Sequence, residues 1–524
     1  MKRSDAKICV PVCVKQASEL AGAVARAAEV ADIIELRLDC LNVAELDAMR
    51  RSLTDYLKQV TVPVILTLRT AEQGGHNSLG REARHTFWSS MDHLTENCFV
   101  DLELDLVREF GPEGQKGKLP IDRACIICSH HDFAGVPENL EDIYQQMAAT
   151  NARFLKIAVQ ADDAIDCLPI FRLLDRARSE GREMIAIAMD QAGIMTRVLG
   201  PSRGSFLTYG SLDEESATAP GQLTARELRE VYRIDEIDQQ TEVVGIIGKP
   251  VAHSLSPRIH NAAFAATGVN AVYIPFEVGD VIQFIRRMAH PRTRELDWNL
   301  RGLSVTAPHK TDVLGSLDWI EPAAREIGAV NTIVIQKNEL HGYSTDAPGF
   351  ISPLQYKFGS LVGGRCAIIG AGGGARAALW ALRNEGARVE LFVRNVAATR
   401  SMAEEFGVDC YPLAGATFHG FDVVINATPL GMRGAHQDET PATAEQLRNV
   451  RLAYDLVYNP GETCFLREAR AAGCETLGGI EMLIAQAVEQ FKLWTGQTPD
   501  VEVMRAAVSR GLRDRSEPPA VAGG

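Results

Sequence analysis

The sequence predicts an α/β protein in two units: a (β/α)8 TIM barrel over roughly the first 240 residues, then a further α/β unit with a Rossmann-type nucleotide turn. Three observations carry this. Eight short apolar segments alternate with helix-like stretches in the first part. Ionisable residues gather where those segments end. Further on, an apolar strand runs straight into Gly370-Ala371-Gly372-Gly373-Gly374-Ala375. A chain of 524 residues is also too long for one hydrophobic core, so several domains are expected.

The eight expected barrel strands are Ile8–Val14, Ile33–Asp39, Val62–Thr70, Phe99–Leu106, Ala124–Asp132, Phe154–Val159, Glu183–Met189 and Ser205–Gly210. Polar-apolar stretches such as Glu138–Ala149 and Ala164–Glu180 supply helices between them. The C-terminal ends of barrel strands form the active face. Glu35, Arg37, Arg69, Glu103, His131 and Lys156 fall there. Lys156, in Phe154-Leu155-Lys156-Ile157, is a lysine in an apolar strand, costly to desolvate unless paired or neutral. A desolvated amine can lose its proton and attack a ketone. Lys310, after Ser304-Val305-Thr306-Ala307-Pro308-His309, reads as a second lysine at a strand end.

A charged stretch, residues 226–240, links the barrel to a new strand at Val243–Gly248. A second boundary falls near Tyr343–Gly349. The strand Arg365–Ile369 then opens the nucleotide unit, and its G-x-G-x-x-A turn leads into a helix, Arg376–Asn384. Glycines there let the backbone approach a pyrophosphate at the helix N-terminus. The next strand, Arg388–Val393, ends in Arg394-Asn395 rather than in Asp or Glu. Arg394 can pair with a 2′-phosphate, which favours NADP over NAD. A plain solvated charge is the competing reading.

The formal charge of −14 argues against a nucleic-acid surface. No apolar run is long enough to span a bilayer, and the first fifteen residues lack a signal-peptide pattern, so a cytoplasmic location is expected. Eleven cysteines in a chain this long do not make a disulfide scaffold, and Cys9, Cys13 and Cys366 read as small hydrophobes in strands of a protein from a reducing compartment. No metal site is expected, because Cys125 and Cys128 have no second ligand pair.

Residues 243–510 resemble shikimate dehydrogenase. The matching motifs are Gly248-Lys249-Pro250-Val251-Ala252-His253-Ser254-Leu255-Ser256-Pro257, Val305–Lys310, Gly328-Ala329-Val330-Asn331-Thr332, Ser344-Thr345-Asp346-Ala347-Pro348-Gly349, Asn426–Met432, Tyr454–Tyr458 and Met482–Gln486. The resemblance implies that Ser254 and Ser256 hold a substrate carboxylate. It assigns ring hydroxyls to Thr306, Asn331, Asp346 and Gln486, with Tyr458 assisting. Lys310 and Asp346 become the acid–base pair, and Thr428 and Gly479 join the cofactor site.

Residues 6–232 resemble type I 3-dehydroquinate dehydratase, through Glu35-Leu36-Arg37-Leu38-Asp39, Leu68-Arg69-Thr70, Ser129-His130-His131-Asp132-Phe133, Leu155–Ala158 and Ala219-Pro220-Gly221-Gln222. The implied chemistry is a Schiff base on Lys156, with His131 moving the proton. His131 rather than His130 aligns with the family histidine, and strand alternation puts His130 on the opposite face. Arg197 is implied to clamp the carboxylate. Glu35, Arg37, Arg69, Thr218 and Gln222 hold the substrate, and Met189 packs beside the imine. Two positions depart from the family. Gln73, with Glu72 beside it, stands where a glutamate usually supports the histidine, so His131 is expected to have a lowered pKa unless Glu72 substitutes. Thr218 replaces the usual serine.

The expected domains are therefore residues 1–238 (barrel), 242–347 with 480–512 (substrate binding), 348–479 (Rossmann, NADP) and a disordered tail, 513–524. Together the resemblances imply dehydration of 3-dehydroquinate to 3-dehydroshikimate, then NADPH reduction to shikimate, by a monomer or homodimer. A dehydroquinate-reducing quinate dehydrogenase and a non-catalytic metabolite sensor are the alternatives. Ser254 and Ser256 argue against the first, and retention of Lys156, His131, Lys310 and Asp346 against the second.

Overall fold

The computed structural model describes residues 5–76, 79–91, 94, 97–110 and 121–514. The expected tail lies outside them beyond Asp514, where the helix Val501–Asp514 ends.

Eight parallel strands form the first sheet: β1 Ile8–Val12, β2 Ile33–Arg37, β3 Val64–Thr67, β4 Cys98–Glu103, β5 Ile126–Asp132, β6 Phe154–Gln160, β7 Glu183–Met189 and β8 Thr208–Tyr209. Their order is β7-β6-β5-β4-β3-β2-β1-β8. Between β7 and β8 a single bridge, Met184 to Ser205, and the Phe206 N–H to Met184 carbonyl bond (2.8 Å) nearly close the ring.

Alternation along each strand sorts side chains into two sets. Outward residues such as Val10, Ile34, Leu36, Leu66, Val100, Leu102, Leu155 and Ile157 pack against the helices. The helix Ala17–Ala28 meets this layer with Leu20, Ala23, Val24 and Ala27, at i, i+3, i+4 and i+7. Inward residues stack in tiers. The lower tier is apolar, with Cys9, Ile33, Ile65, Ile127, Phe154, Ile185 and Leu207. Two residues further along, the strands carry Glu35, Thr67, Asp101, Ser129, Lys156 and Tyr209, all buried. A dry floor thus lies beneath a ring of polar and charged groups.

The second sheet holds β9 Glu242–Gly248, β10 Ala271–Glu277, β11 Leu300–Val305, β12 Trp319–Ile320, β13 Thr332–Gln336 and β14 Glu339–Tyr343, in the order β10-β9-β11-β13-β14-β12. It is mixed, because β13 runs antiparallel to β11 and β14. The third holds β15 Arg365–Ile369, β16 Arg388–Val393, β17 Asp409–Pro412, β18 Val423–Asn426, β19 Leu452–Asp455 and β20 Glu475–Leu477. Its order, β17-β16-β15-β18-β19-β20, is fully parallel and reverses at β15, which opens a crevice above that strand.

Two helices join these sheets, Asp346–Phe358 and Gly479–Thr495. They touch at Gly349, where an added Cβ would come within 2.7 Å of the Gln486 Cβ. The barrel loop after β6 meets the loops after β9 and β10. There the Asp163 carboxylate accepts the Gly279 N–H (2.7 Å), and Lys249 donates to the Asp162 carbonyl (3.1 Å).

Three expectations need correcting. Cys13 is not a buried strand residue: β1 stops pairing at Val12, and Cys13 emerges exposed at the active face, joined by a disulfide to Cys40. Lys310 does not end a strand, since β11 stops at Val305 and Lys310 sits in the following turn. Lys156 is the third residue of β6 rather than its end.

Candidate active sites

Lys156 sits in the polar tier, 4 % exposed. Its Nζ lies 2.9 Å from Asp101 Oδ2, 2.9 Å from the Tyr209 hydroxyl and 3.5 Å from Glu35 Oε1. Arg69 pairs with Asp101 (2.6 Å), and the Ser129 hydroxyl donates to it (2.5 Å). Burial raises the Asp101 pKa, but the charges of Arg69 and Lys156 outweigh it and hold the carboxyl well below its usual range. The Thr67 hydroxyl donates to Glu35 (2.7 Å). Arg37 is held by a two-pronged contact with Asp39 (2.9 and 2.8 Å).

Arg197 differs from these cations. It is buried on the helix Ile194–Leu199 and donates only to the carbonyls of Tyr209 (3.5 Å) and Pro220 (3.3 Å). Among the described residues no carboxylate forms an ion pair with it, and burial lowers its pKa to about 10. A buried guanidinium without a counter-ion is costly unless an anionic ligand completes it.

His131 lies two residues beyond Ser129 on β5, and Ser129 is opposite Lys156. That offset places the His131 Cα about 7 Å further along β5 than the residue paired with Lys156. Burial, then the charges of Arg69 and Lys156, push the imidazole pKa well below the ordinary value, and its Nδ1 has no partner. The ring is therefore neutral at neutral pH. Gln73 Oε1 accepts the His131 backbone N–H (3.0 Å) rather than bonding the ring, while Glu72 is exposed. The lowered pKa thus has burial as its first cause, beyond the missing glutamate charge. Gln73→Glu adds a negative charge beside the histidine, so the acid limb of dehydration, expected below pH 6.5, should move to higher pH. A kcat/KM profile checks this, and an unmoved limb would mean another group sets it.

Glu35, Arg37, Arg69, Gln73, His131, Lys156, Met189, Arg197, Thr218 and Gln222 line one cavity. Gln222 Oε1 accepts the Thr218 N–H (2.9 Å). Sequence reasoning missed Asp101 and Tyr209. Their inward phase, shared with Phe99 on β4 and Leu207 before β8, was the available signal.

A second cavity lies between the second and third sheets. It is lined by Ser254, Ser256, Thr306, Lys310, Asn331, Asp346, Tyr458 and Gln486, and also by Gly374 and Gly479. Lys310 Nζ pairs with Asp346 Oδ2, and Asn331 Nδ2 donates to Asp346 Oδ1 (2.8 Å). Asp346 opens its helix, where a negative charge is favourable. Asn331 is held in turn by the Thr345 N–H (2.7 Å). Beneath, Tyr273, Ser304, Gln490 and Thr332 form a buried hydrogen-bonded chain, also missed from sequence.

The glycine turn ends at the N-terminus of the helix Gly373–Asn384. Gly370 has φ +114°, and a Cβ there would sit 2.8 Å from the Ala427 carbonyl oxygen. At Gly373 a Cβ would come within 3.0 Å of Lys310 Cδ, so the turn reaches the second cavity. Ala371 and Gly372 are exposed and complete a surface without bulky side chains, suited to a pyrophosphate, whereas Ala375 is fully buried and packs the helix into the core. Thr428 is engaged with Asn426 (2.6 Å), and Asn395 caps the helix Val396–Phe406. Arg394 is exposed just after β16. These residues fit a dinucleotide carrying a 2′-phosphate. Among the described residues one three-ligand group occurs, Cys13, Cys40 and His76, and the disulfide leaves it no thiolate.

Residues 8–239 match the family model for type I 3-dehydroquinase. Residues 246–333 match the shikimate dehydrogenase substrate binding domain, and 479–508 the shikimate 5′-dehydrogenase C-terminal domain. The chain is 32 % identical, over 516 residues, to the chloroplastic bifunctional 3-dehydroquinate dehydratase/shikimate dehydrogenase of Arabidopsis thaliana, covering 94 % of this chain and 83 % of that one. The chain belongs to the bifunctional 3-dehydroquinate dehydratase/shikimate dehydrogenase family. Within this family the two cavities fall one in each matched half. The second half is 38 % identical over 287 residues to the shikimate dehydrogenase (NADP(+)) of Carboxydothermus hydrogenoformans, covering 52 % of this chain and 98 % of that one. A solved shikimate 5-dehydrogenase from Thermus thermophilus, in complex with NADP(H) and shikimate, aligns at 36 % identity and TM-score 0.46, covering 52 % of this chain and all of that one. No helix among the described residues is long and apolar enough to cross a membrane.

Proposed function

We propose that the chain converts 3-dehydroquinate to 3-dehydroshikimate in the barrel and reduces that product to shikimate in the second cavity. The observation that carries this reading is the pair of lysines, each in a cavity with its own carboxylate partner.

In the barrel, Arg197 takes the substrate carboxylate, which its lack of a counter-ion supports. Glu35, Arg37, Arg69, Thr218 and Gln222 hold the ring, with Met189 against it. Lys156 forms an imine at the ring ketone, and the iminium acidifies the adjacent C–H. Neutral His131 removes that proton and returns it to the departing hydroxyl, which leaves as water. Hydrolysis of the imine releases the product and frees Lys156.

In the second cavity Ser254 and Ser256 hold the carboxylate, and Thr306, Asn331, Tyr458 and Gln486 position the ring. Bound NADPH supplies the hydride. Lys310 donates the proton to the oxygen that becomes an alkoxide, and Asp346, steadied by Asn331, keeps the amine aimed. The serine pair favours shikimate over quinate as product. The Gly370–Ala375 turn with Thr428 and Gly479 carries the cofactor, and Arg394 with Asn395 faces its 2′-phosphate end. Arg394→Ser should raise KM for NADPH roughly tenfold or more and leave NADH use nearly unchanged. Equal effects on both cofactors would remove Arg394 from this role.

The test is to mix the protein with 3-dehydroquinate and NADPH, follow cofactor oxidation and identify the product by mass. Shikimate supports both sites. Quinate would mean direct reduction of dehydroquinate, and no oxidation with either dehydroquinate or dehydroshikimate would favour a sensor. A monomer or homodimer working in the cytoplasm, without nucleic-acid partners, completes the proposal.

A further inference from the structure

Lys156 has three polar neighbours within reach of its amine: Asp101, Glu35 and Tyr209. An ammonium has three N–H donors, so each neighbour can take one. Imine formation must then remove two of those three protons. Counted from the ammonium form, the balance is closed. The pair freed by the first N–H proton forms the C–N bond as the C=O π pair moves to oxygen, and the pair freed by the second forms the C=N π bond as the C–O bond breaks. Two N–H protons end on that oxygen, the C–O bond breaks with its electrons, and water departs. One N–H remains on the iminium, and the total charge is unchanged. No outside acid is needed, but a carrier from nitrogen to oxygen is.

We propose that the Tyr209 hydroxyl is this carrier, a catalytic residue of imine formation and hydrolysis; the proposal rests on the dehydratase reading above. The hydroxyl lies 2.9 Å from Nζ, the ring centroid lies 4.4 Å from it, and Tyr209 lines the substrate cavity. A phenol can accept a proton from nitrogen while passing its own to the ketone oxygen, and so finishes with the charge it began with. The two carboxylates are worse placed. Asp101 is already occupied by Arg69 and Ser129, and protonating it would break that arrangement. The charges of Arg69 and then Lys156, with a smaller part from the Ser129 hydroxyl, hold its affinity for a proton far down, against the effect of burial. Glu35 is further from Nζ, at 3.5 Å, and also accepts from Thr67. Burial, then the charge of Glu35, keeps the phenol protonated by raising its pKa well above the ordinary value. The neighbouring Cys9 thiol is pushed up too, first by burial, and stays neutral beside it. β8 fixes the ring, since Tyr209 pairs with Cys9 on β1 and its carbonyl accepts from Arg197 (3.5 Å).

The experiment is rapid-quench borohydride trapping of the full chain on 3-dehydroquinate, with the adduct on Lys156 quantified by mass. Tyr209→Phe should slow adduct formation about 100-fold, within the range for general acid–base groups, while the adduct still forms on Lys156. Trapping at the wild-type rate would overturn the proposal. A barrel melting transition at the wild-type temperature, followed on the full chain, reports that the variant barrel is folded. If Tyr209→Phe does not fold, 3-fluorotyrosine at position 209 keeps the ring and hydroxyl but makes it more acidic. It should shift the pH dependence of trapping to lower pH, and an unshifted profile would overturn the proposal. No adduct in the unaltered protein would instead remove the Schiff-base reading itself.

Discussion

Lys156→Met eliminates the borohydride adduct and lowers dehydration of 3-dehydroquinate by at least about 10⁴-fold, because the nucleophile is gone and no neighbour can replace it. The structure adds a stability cost. Asp101 and Glu35 are both buried and lose a cation within 2.9 and 3.5 Å. Breaking a buried pair costs about 3–5 kcal/mol when the remaining charge is left alone. Here Arg69 still pairs with Asp101 at 2.6 Å, so the lower end, roughly 3 kcal/mol, is expected. The barrel should therefore melt several degrees earlier, while reduction of supplied 3-dehydroshikimate continues. A Lys156→Met protein that still dehydrates at a measurable fraction of the original rate would rule out the covalent route.

The other large effect concerns reduction. Lys310→Met should lower kcat for 3-dehydroshikimate by about 10²- to 10⁴-fold, with a much smaller change in KM, because a proton donor acts on the forming alkoxide more than on bound ketone. Asp346→Asn should fall in the same direction, since Asp346 pairs with Lys310 and takes the Asn331 amide at 2.8 Å. The double variant should lose little more than Lys310→Met alone, as expected for groups acting as one unit. Fully multiplicative losses would mean that the two side chains work separately. A raised KM with kcat preserved would make Lys310 a binding residue only.

The most legible residues are those whose chemistry is set by near neighbours in the chain. The turn Gly370–Ala375 between a strand and a helix declares its ligand through backbone geometry alone. Likewise, period-two alternation separates His131 from His130, and His131 lines the cavity. Arg37, Arg69 and Lys156 share that inward phase.

Other features depend on residues distant in sequence. Asp101 and Tyr209 lie 55 and 53 positions from Lys156 and meet it only when the ring of strands closes. The isolation of Arg197 is equally non-local, because it depends on which carboxylates the fold keeps away. The resemblance left Gln73 and Glu72 both open as the neighbour of His131, and the loop carrying them decided for Gln73 and for the backbone N–H over the ring. Cys13 looked like strand core until β1 ended two residues early and left it beside Cys40.

Residue order and alternation were thus enough for two α/β units, two lysine-centred sites and a nucleotide turn, since backbone sterics and side-chain phase act within a few residues. The protonation states of Asp101 and His131, and the neighbours that surround the Lys156 amine, came from folding. They depend on desolvation and on charges a few ångströms apart that the chain brings together from different strands.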